Sequence, residues 1–476
     1  MHYPEIRLIV GSRHIGHSER ASRPVLNPST EEEVGLLPVA REDDLDAAID
    51  AARSAFAQWR GTTPWQRGAV LHEAARQVRI QADRIARALV TDNGKPLAEA
   101  AAEVSAAADT LEWYAEEARR IYGRVFGGRA PESRFMTSRE PLGVVALFAP
   151  WNFPAVTLVR KLAAALAAGC TVIAKPAEET PAAPSLLAEC LLAAGLPPGV
   201  LNLVFGDPVQ ISKRLIQSPD VAKISFTGST AVGRTLASLA GENLKRMTME
   251  LGGHGAAIIC PDVDPVRAAD MAAAAKFRNA GQVCNAASRF IVHRSIYEQF
   301  AARFAARASA LKVEDGFDPA VEMGPLANRR RIEAMETLTA NAVAEGGRLL
   351  AGGKRLDRPG FFFTPTVVAD VPPQARVMID EPFGPIAPIV AFDDIGEAVD
   401  MANTSSYGLA AFAMTKDIAT ARRLTRDMQA GVIGLNSFSV AFPEAPFGGV
   451  KNSGWGLEGG SEGIEAYLTT KFVHEA

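Results

Sequence analysis

From Val144 onward the chain alternates short apolar runs with helical text, and this alternation constrains its fold more than any other feature. Val144 to Ala149, Thr171 to Ala174, Leu201 to Phe205 and Val221 to Phe226 read as strands. Helices are expected over Pro154 to Ala168, closed by Gly169, over Pro181 to Ala194, stopped by Gly195, and from near Thr230. Parallel strands need crossover connections, so repeated β-α units imply a parallel sheet with helices on both faces. Such sheets bind ligands beyond the carboxyl ends of their strands. A second strand-helix series from Ala256 to about Val432 is long enough for its own sheet, which puts a domain boundary near Glu250 to Gly253. Upstream, residues 41–60 read as an amphipathic helix with Asp43 and Asp44 as N-cap candidates. Helical periodicity then runs from about Trp65 to Thr91, and Gly94-Lys95-Pro96 interrupts it before a further helix to about Arg120.

At 476 residues, 48% of them hydrophobic, the chain can bury one large core or two medium ones. A net charge of −4 gives no electrostatic reason to expect nucleic acid or an anionic membrane, so small molecules are the expected partners. The four cysteines, Cys170, Cys190, Cys260 and Cys284, include no Cys-x-x-Cys pair. That argues against a disulfide scaffold or a thiolate zinc site and fits a reducing cytoplasm. The apolar stretch Leu162 to Ala174 is too short to span a bilayer, and no signal pattern opens the sequence, so a soluble cytoplasmic protein is expected.

Cys284 stands in Phe-Arg-Asn-Ala-Gly-Gln-Val-Cys-Asn, a setting too polar for a core strand, whereas the other three cysteines sit in apolar text. Glu250 stands beside Gly252 and Gly253. A thiol and a carboxylate of this kind suit a thioester mechanism, in which the sulfur adds to a carbonyl and the acid later activates water. Asn152, in a turn flanked by Pro150 and Pro154, could donate to an oxyanion together with the Cys284 amide, or simply satisfy local backbone. The Phe226-Thr227-Gly228-Ser229-Thr230 turn opens a helix whose amides could hold a pyrophosphate, though a plain strand-to-helix turn would use the same residues. Lys175 and Glu178, at another strand end, could hold ribose hydroxyls, and the acid would repel a 2′-phosphate; solvated loop charges would look the same. His254, in a glycine-rich turn, reads as structural rather than as a base for a cysteine hydrolase.

Six ordered blocks resemble the aldehyde dehydrogenase superfamily over nearly the whole chain. They are Pro-Trp-Asn-Phe-Pro at 150–154, Lys-Pro-Ala-Glu at 175–178, Phe-Thr-Gly-Ser-Thr at 226–230, Glu-Leu-Gly-Gly at 250–253, Gly-Gln-Val-Cys at 281–284 and Glu-Pro-Phe-Gly-Pro at 381–385. The resemblance implies an α/β fold with a Rossmann-type cofactor domain (1–121 and 141–250) and a second α/β catalytic domain (251–445). It adds a small β oligomerisation domain from 122–140 and 446–476, and pairing as a homodimer or homotetramer. It makes Cys284 the nucleophile, Glu250 the general base and Asn152 the oxyanion donor. Lys175 and Glu178 would face the adenine ribose, Gly228 and Ser229 the pyrophosphate, and Trp151 the cofactor pocket. Glu381 would bind the nicotinamide ribose with Phe383 beside it, and Glu458 would relay protons from Glu250. No metal is implied, and Glu178 favours NAD over NADP.

Within the superfamily the text is similar to succinate-semialdehyde and 2-oxoglutarate-semialdehyde dehydrogenases, through Val-Arg-Lys-Leu at 159–162, Lys-Phe-Arg-Asn at 276–279 and Pro-Phe-Gly-Gly-Val-Lys-Asn-Ser-Gly at 446–454. Arg160 and Arg278 match arginines that hold a substrate carboxylate in that branch, as guanidinium forks do. Two departures stand out. Ala286 replaces a second cysteine, and Phe442 lies where serines often approach the carboxylate, which points to a longer or differently shaped semialdehyde. The alternatives are the same fold acting on a betaine or aromatic aldehyde, a coenzyme A-acylating member, and a catalytically silent binding or structural protein.

Overall fold

The computed structural model describes residues 3–475. Two sheets carry the architecture. The first has eight strands, with a parallel centre ordered Leu201–Leu203, Thr171–Lys175, Val144–Phe148, Val221–Thr227, Arg246–Glu250. Val144–Phe148 and Thr171–Lys175 are buried along their whole length, as continuous apolar strands covered on both faces must be. Antiparallel Leu8–Val10 and Gly454–Trp455 flank this centre, and Arg13–Ile15 lies outside Leu8–Val10. The second sheet has seven strands, in the order Arg348–Ala351, Thr366–Ala369, Ile386–Phe392, Ala287–His293, Gly255–Ile259, Ala410–Met414, Val432–Leu435. Only the Arg348–Ala351 edge runs antiparallel to its neighbour. Each sheet has its own buried apolar cluster.

Local signals set the crossovers. The Pro154–Ala168 helix has proline in its first turn and ends at Gly169, whose φ of +94° is open to glycine at little cost. Elsewhere the expected elements shift. The helix Glu42–Arg60 is N-capped by Arg41 rather than by Asp43 or Asp44, because Arg41 holds the extended conformation. Asp44, three residues inside, accepts the Arg41 N–H at 3.0 Å and pairs with Arg20, which places its charge at the helix's positive end. The 65–91 periodicity belongs to two helices, Pro64–Ile80 and Ala82–Asn93, separated by Gln81.

A three-stranded antiparallel sheet joins Arg124–Gly127, Arg134–Pro141 and Leu468–Glu475. The tail grouped above as 446–476 divides: Val450–Lys451 pairs with Tyr407–Gly408 and Gly454–Trp455 extends the first sheet, while only Leu468–Glu475 joins the small sheet. Among the described residues no helix is long and apolar enough to cross a membrane.

Candidate active site

In the first sheet the chain leaves Val144–Phe148 to one side for two strands and then crosses to Val221–Thr227 on the other. Strand order therefore reverses between these neighbours, and a crevice opens beyond their carboxyl ends. The Pro150-Trp151-Asn152 and Thr227-Gly228-Ser229 turns flank it, and parallel register sets Glu250 opposite Thr227. Facing this edge is the amino edge of the second sheet. Gly252 and Gly253 precede Gly255–Ile259, Cys284 precedes Ala287–His293, and Glu381 to Gly384 precede Ile386–Phe392, three adjacent parallel strands. The paired glycines permit this approach: a β-carbon on Gly253 would stand 2.3 Å from the Cys284 carbonyl, and one on Gly252 2.6 Å from a Glu381 oxygen.

The backbone leading to Cys284 is bent hard. Asn279, Ala280 and Gly281 take φ of +47°, +53° and +71°, a left-handed run unusual for two residues with side chains. Buried side chains hold it. Gln282 donates to the Asn279 carbonyl at 3.0 Å and accepts the Ala327 N–H at 2.9 Å. Asn152 donates to the Gln282 carbonyl at 3.0 Å, and Asn279 donates to the Asn152 carbonyl at 2.9 Å. A side-chain amide carries two N–H donors, and the second of Asn152 has no acceptor among the described residues. Burial pushes the Cys284 thiol up to about 12, and the Glu250 and Glu381 carboxylates reinforce the shift.

Glu250 is buried, and neither of its oxygens has a hydrogen-bond partner among the described residues. Burial raises its carboxyl well above the usual range, Glu458 adds to that, and Lys161 and Arg160 oppose it. Glu458 is itself buried, paired with Lys161, and accepts a hydrogen bond from Ser225 at 3.3 Å. An ionisable group buried without partners is poised to exchange a proton with whatever enters.

Two cavities meet at Cys284, Thr227 and Leu251. The first, of about 340 Å³, is bordered by Trp151, Asn152, Gly228, Ser229, Glu381 and Phe383, with Arg331 from the Arg329–Ala344 helix. Trp151 and Phe383 meet edge to face at 5.4 Å. Ser229 caps the Thr230–Glu242 helix by accepting the Val232 N–H, so its oxygen is already engaged. Glu381 accepts the Gly253 N–H at 2.9 Å, and burial lifts its carboxyl to about 7. Buried Arg331 Nε and Thr227 Oγ1 lack partners among the described residues. Aromatic walls, a helix N-terminus and these orphaned polar atoms fit a nicotinamide dinucleotide. Lys175 and Glu178 lie apart from this lining and pair with each other at 2.5 Å.

The second cavity, of about 220 Å³, is lined by Phe153, Arg160, Glu250, Arg278, Phe447 and Glu458 among others. Arg160 stacks 5.0 Å from the Phe447 ring centre and Arg278 5.3 Å from that of Phe153. Neither forms an ion pair among the described residues; Arg160 Nε is a buried donor without a partner, and Arg278 is exposed. Phe442 is 44% exposed and lies outside the lining, to which its neighbours Ala441 and Pro443 contribute. His254 is buried between Ser288 at 2.7 Å and the Val377 carbonyl at 3.1 Å, away from both cavities.

Sequence reading missed Lys161, Glu99, Glu103, Arg331 and Phe447. Lys161 had a signal: it lies fully buried in a helix whose neighbours are almost all apolar. Glu99 and Glu103, on the helix that follows Pro96, border the second cavity.

The chain matches the aldehyde dehydrogenase family over residues 15–473. It is 45% identical to 4-(hydroxymethyl)benzenesulfonate dehydrogenase TsaD1 of Comamonas testosteroni, over 99% of this chain and 98% of that protein. It is 40% identical to the succinate-semialdehyde dehydrogenase [NADP(+)] GabD of Escherichia coli (strain K12), over 94% of this chain and 93% of that one. A crystal structure of succinate-semialdehyde dehydrogenase from Burkholderia pseudomallei superposes with a TM-score of 0.97 at 40% identity, covering 99% of this chain and 98% of the other. With a thiol, a buried acid and an amide donor gathered between two cavities, the chain belongs to the aldehyde dehydrogenase family and is a nicotinamide-dependent oxidoreductase acting on aldehydes.

Proposed function

We propose that this protein oxidises an ω-semialdehyde carboxylate, such as succinic or 2-oxoglutaric semialdehyde, to the dicarboxylic acid with NAD. The observation that carries the reading is the pair of guanidinium groups, Arg160 and Arg278, each against an aromatic ring and in no ion pair among the described residues, bordering the cavity that ends at Cys284. A guanidinium that borders a cavity without an ion-pair partner favours a ligand of opposite sign, and its fork matches a carboxylate in two parallel hydrogen bonds.

Cys284 Sγ adds to the aldehyde carbon while its proton passes to a base, and the Asn152 side-chain N–H with the Cys284 backbone N–H receives the developing oxyanion. A nicotinamide held by Trp151, Glu381 and Phe383 would supply the hydride acceptor, and loss of hydride from the adduct leaves a thioester on Cys284. Glu250 then takes a proton from water as that water attacks the thioester, and the tetrahedral adduct collapses to release the acid and the sulfur. Glu458 and Lys161, buried beside Glu250, carry the proton onward.

Replacing Arg160 or Arg278 by leucine is expected to lower kcat/KM for acidic semialdehydes about thirtyfold, the size of one lost charged hydrogen bond of about 2 kcal/mol, mainly through KM. Neutral aldehydes of equal length should change little; equal losses on both series would remove the anion-binding role. A second reading has a specific observation behind it. The relative at 45% identity is named for a benzenesulfonate, and the phenyl rings of Phe153 and Phe447 could flank an aromatic substrate whose sulfonate takes the carboxylate's place. Initial rates of NADH formation on succinic, glutaric and 2-oxoglutaric semialdehydes beside a para-sulfonated benzaldehyde separate the two. A preference for the sulfonate would displace the semialdehyde reading.

NAD is favoured on the resemblance that sets Lys175 and Glu178 against the adenine ribose: with Lys175 held in its ion pair to Glu178, neither residue offers a free cation to a 2′-phosphate. Glu178→Ser, which frees Lys175, is expected to raise the NADP to NAD ratio of kcat/KM by about tenfold or more. An unchanged ratio would dissociate Glu178 from cofactor choice. The small sheet exposes Val125, Phe126, Phe472 and Val473, and we assign it to pairing of copies as a homodimer or homotetramer.

A further inference from the structure

Gly94-Lys95-Pro96 reads in the sequence as a break between helices, yet its lysine is among the most buried side chains in the protein. Lys95 Nζ pairs with Glu103 at 2.5 Å and donates to the Asn152 backbone carbonyl at 2.9 Å, the same oxygen that receives the Asn279 side chain. It also stands 4.2 Å from the centre of the Phe153 ring. The other Glu103 oxygen accepts the N–H groups of Ala155 at 2.8 Å and Val156 at 3.3 Å, the opening amides of the Pro154–Ala168 helix. Glu99, four residues before Glu103 on the helix Leu97–Glu117, accepts the Asn279 N–H at 2.9 Å. Residues 95, 99 and 103 thus grip both the turn that carries Asn152 and the strained backbone that leads to Cys284. Burying a lysine and a glutamate together carries a large desolvation penalty, recovered only through well-formed further hydrogen bonds. Here those further bonds all fall on residues 152 to 156.

We propose that Lys95 and Glu103 are positioning residues that fix Asn152 as the oxyanion donor, acting through its carbonyl and the first turn of the helix that follows. This rests on the reading of Asn152 given above. Lys95 borders neither cavity, so its replacement acts on substrate only through other residues.

The test is a double-mutant cycle on the pre-steady-state hydride burst, with Lys95→Met, Asn152→Ala and the two combined, at saturating NAD and succinic semialdehyde. Lys95→Met is expected to slow the burst about tenfold, a fraction of what removal of an oxyanion donor costs. The KM for NAD should hardly move, and Lys95→Met should add no further loss where Asn152 is already alanine. Losses that multiply in the double variant, or a Lys95→Met burst at the unaltered rate, overturn the proposal. Should Lys95→Met fail to fold because Glu103 is left without its cation, Lys95→Met with Glu103→Gln removes both charges, keeps an acceptor for the Ala155 and Val156 N–H groups and the size of the side chain, and takes its place in the cycle, with the same outcomes. An Asn152→Ala enzyme that keeps its full burst would instead overturn the oxyanion assignment itself. That result is read from a variant in which Lys95 is untouched, so the two failures are distinct.

Discussion

Cys284→Ser is expected to lower the rate of aldehyde oxidation by about 10⁴-fold or more, because every later bond change is built on the sulfur. A hydroxyl is a far weaker nucleophile and a poorer leaving group, and in this pocket it would meet the same burial and the same two carboxylates that hold the thiol near 12. Binding should survive, since Cys284 is one residue among many in each cavity lining. The measurement is single-turnover NADH formation beside cofactor titration by fluorescence. A serine variant with near-normal turnover would remove Cys284 from the chemistry and the thioester from the mechanism.

Glu250→Gln should separate the two halves of the reaction. Its amide matches the carboxylate in size, so the aldehyde should still be attacked and a burst of about one NADH per site should appear. Steady turnover should then fall by about 10²- to 10⁴-fold, the usual worth of a general base, with the acyl-enzyme accumulating. The pH profile gives an independent check. Burial and Glu458 raise the Glu250 carboxyl well above the usual range, and only its ionised form can accept a proton from water. Turnover of the unaltered enzyme should therefore fall as pH drops through a value well above that of an ordinary carboxylate. In Glu250→Gln that limb should vanish. Loss of the burst together with turnover would instead assign Glu250 to thiol activation.

The residues legible in the sequence share one property: their chemistry is announced by local text. Cys284 stands among polar residues, Asn152 between prolines and Glu250 beside paired glycines, and each lies at a strand terminus that periodicity already locates. The glycines were readable as flexibility, but their use is close approach, with no room for a β-carbon at 253 against the Cys284 carbonyl. Glu99 and Glu103 escaped because a charged residue on a helix looks the same in sequence whether it faces water or a buried partner, and Lys161, though set among apolar residues, because its partner is remote in the chain. Their partners, Asn279, Ala155 and Glu458, lie 180, 52 and 297 residues away. Phe442 shows the reverse: its neighbours in sequence reach the cavity while its own ring faces out.

Alternation of strand and helix, and the residues that end each one, are set by short-range rules of backbone conformation and apolar period, so the chain alone determined two α/β sheets and the turns that bear the reactive groups. Strand order is a matter of packing. Only the folded protein decided that the carboxyl edge of one sheet meets the amino edge of the other, bringing Glu250 and Cys284 to one cavity. The same packing buries both groups and so sets their proton affinities, which local text does not carry.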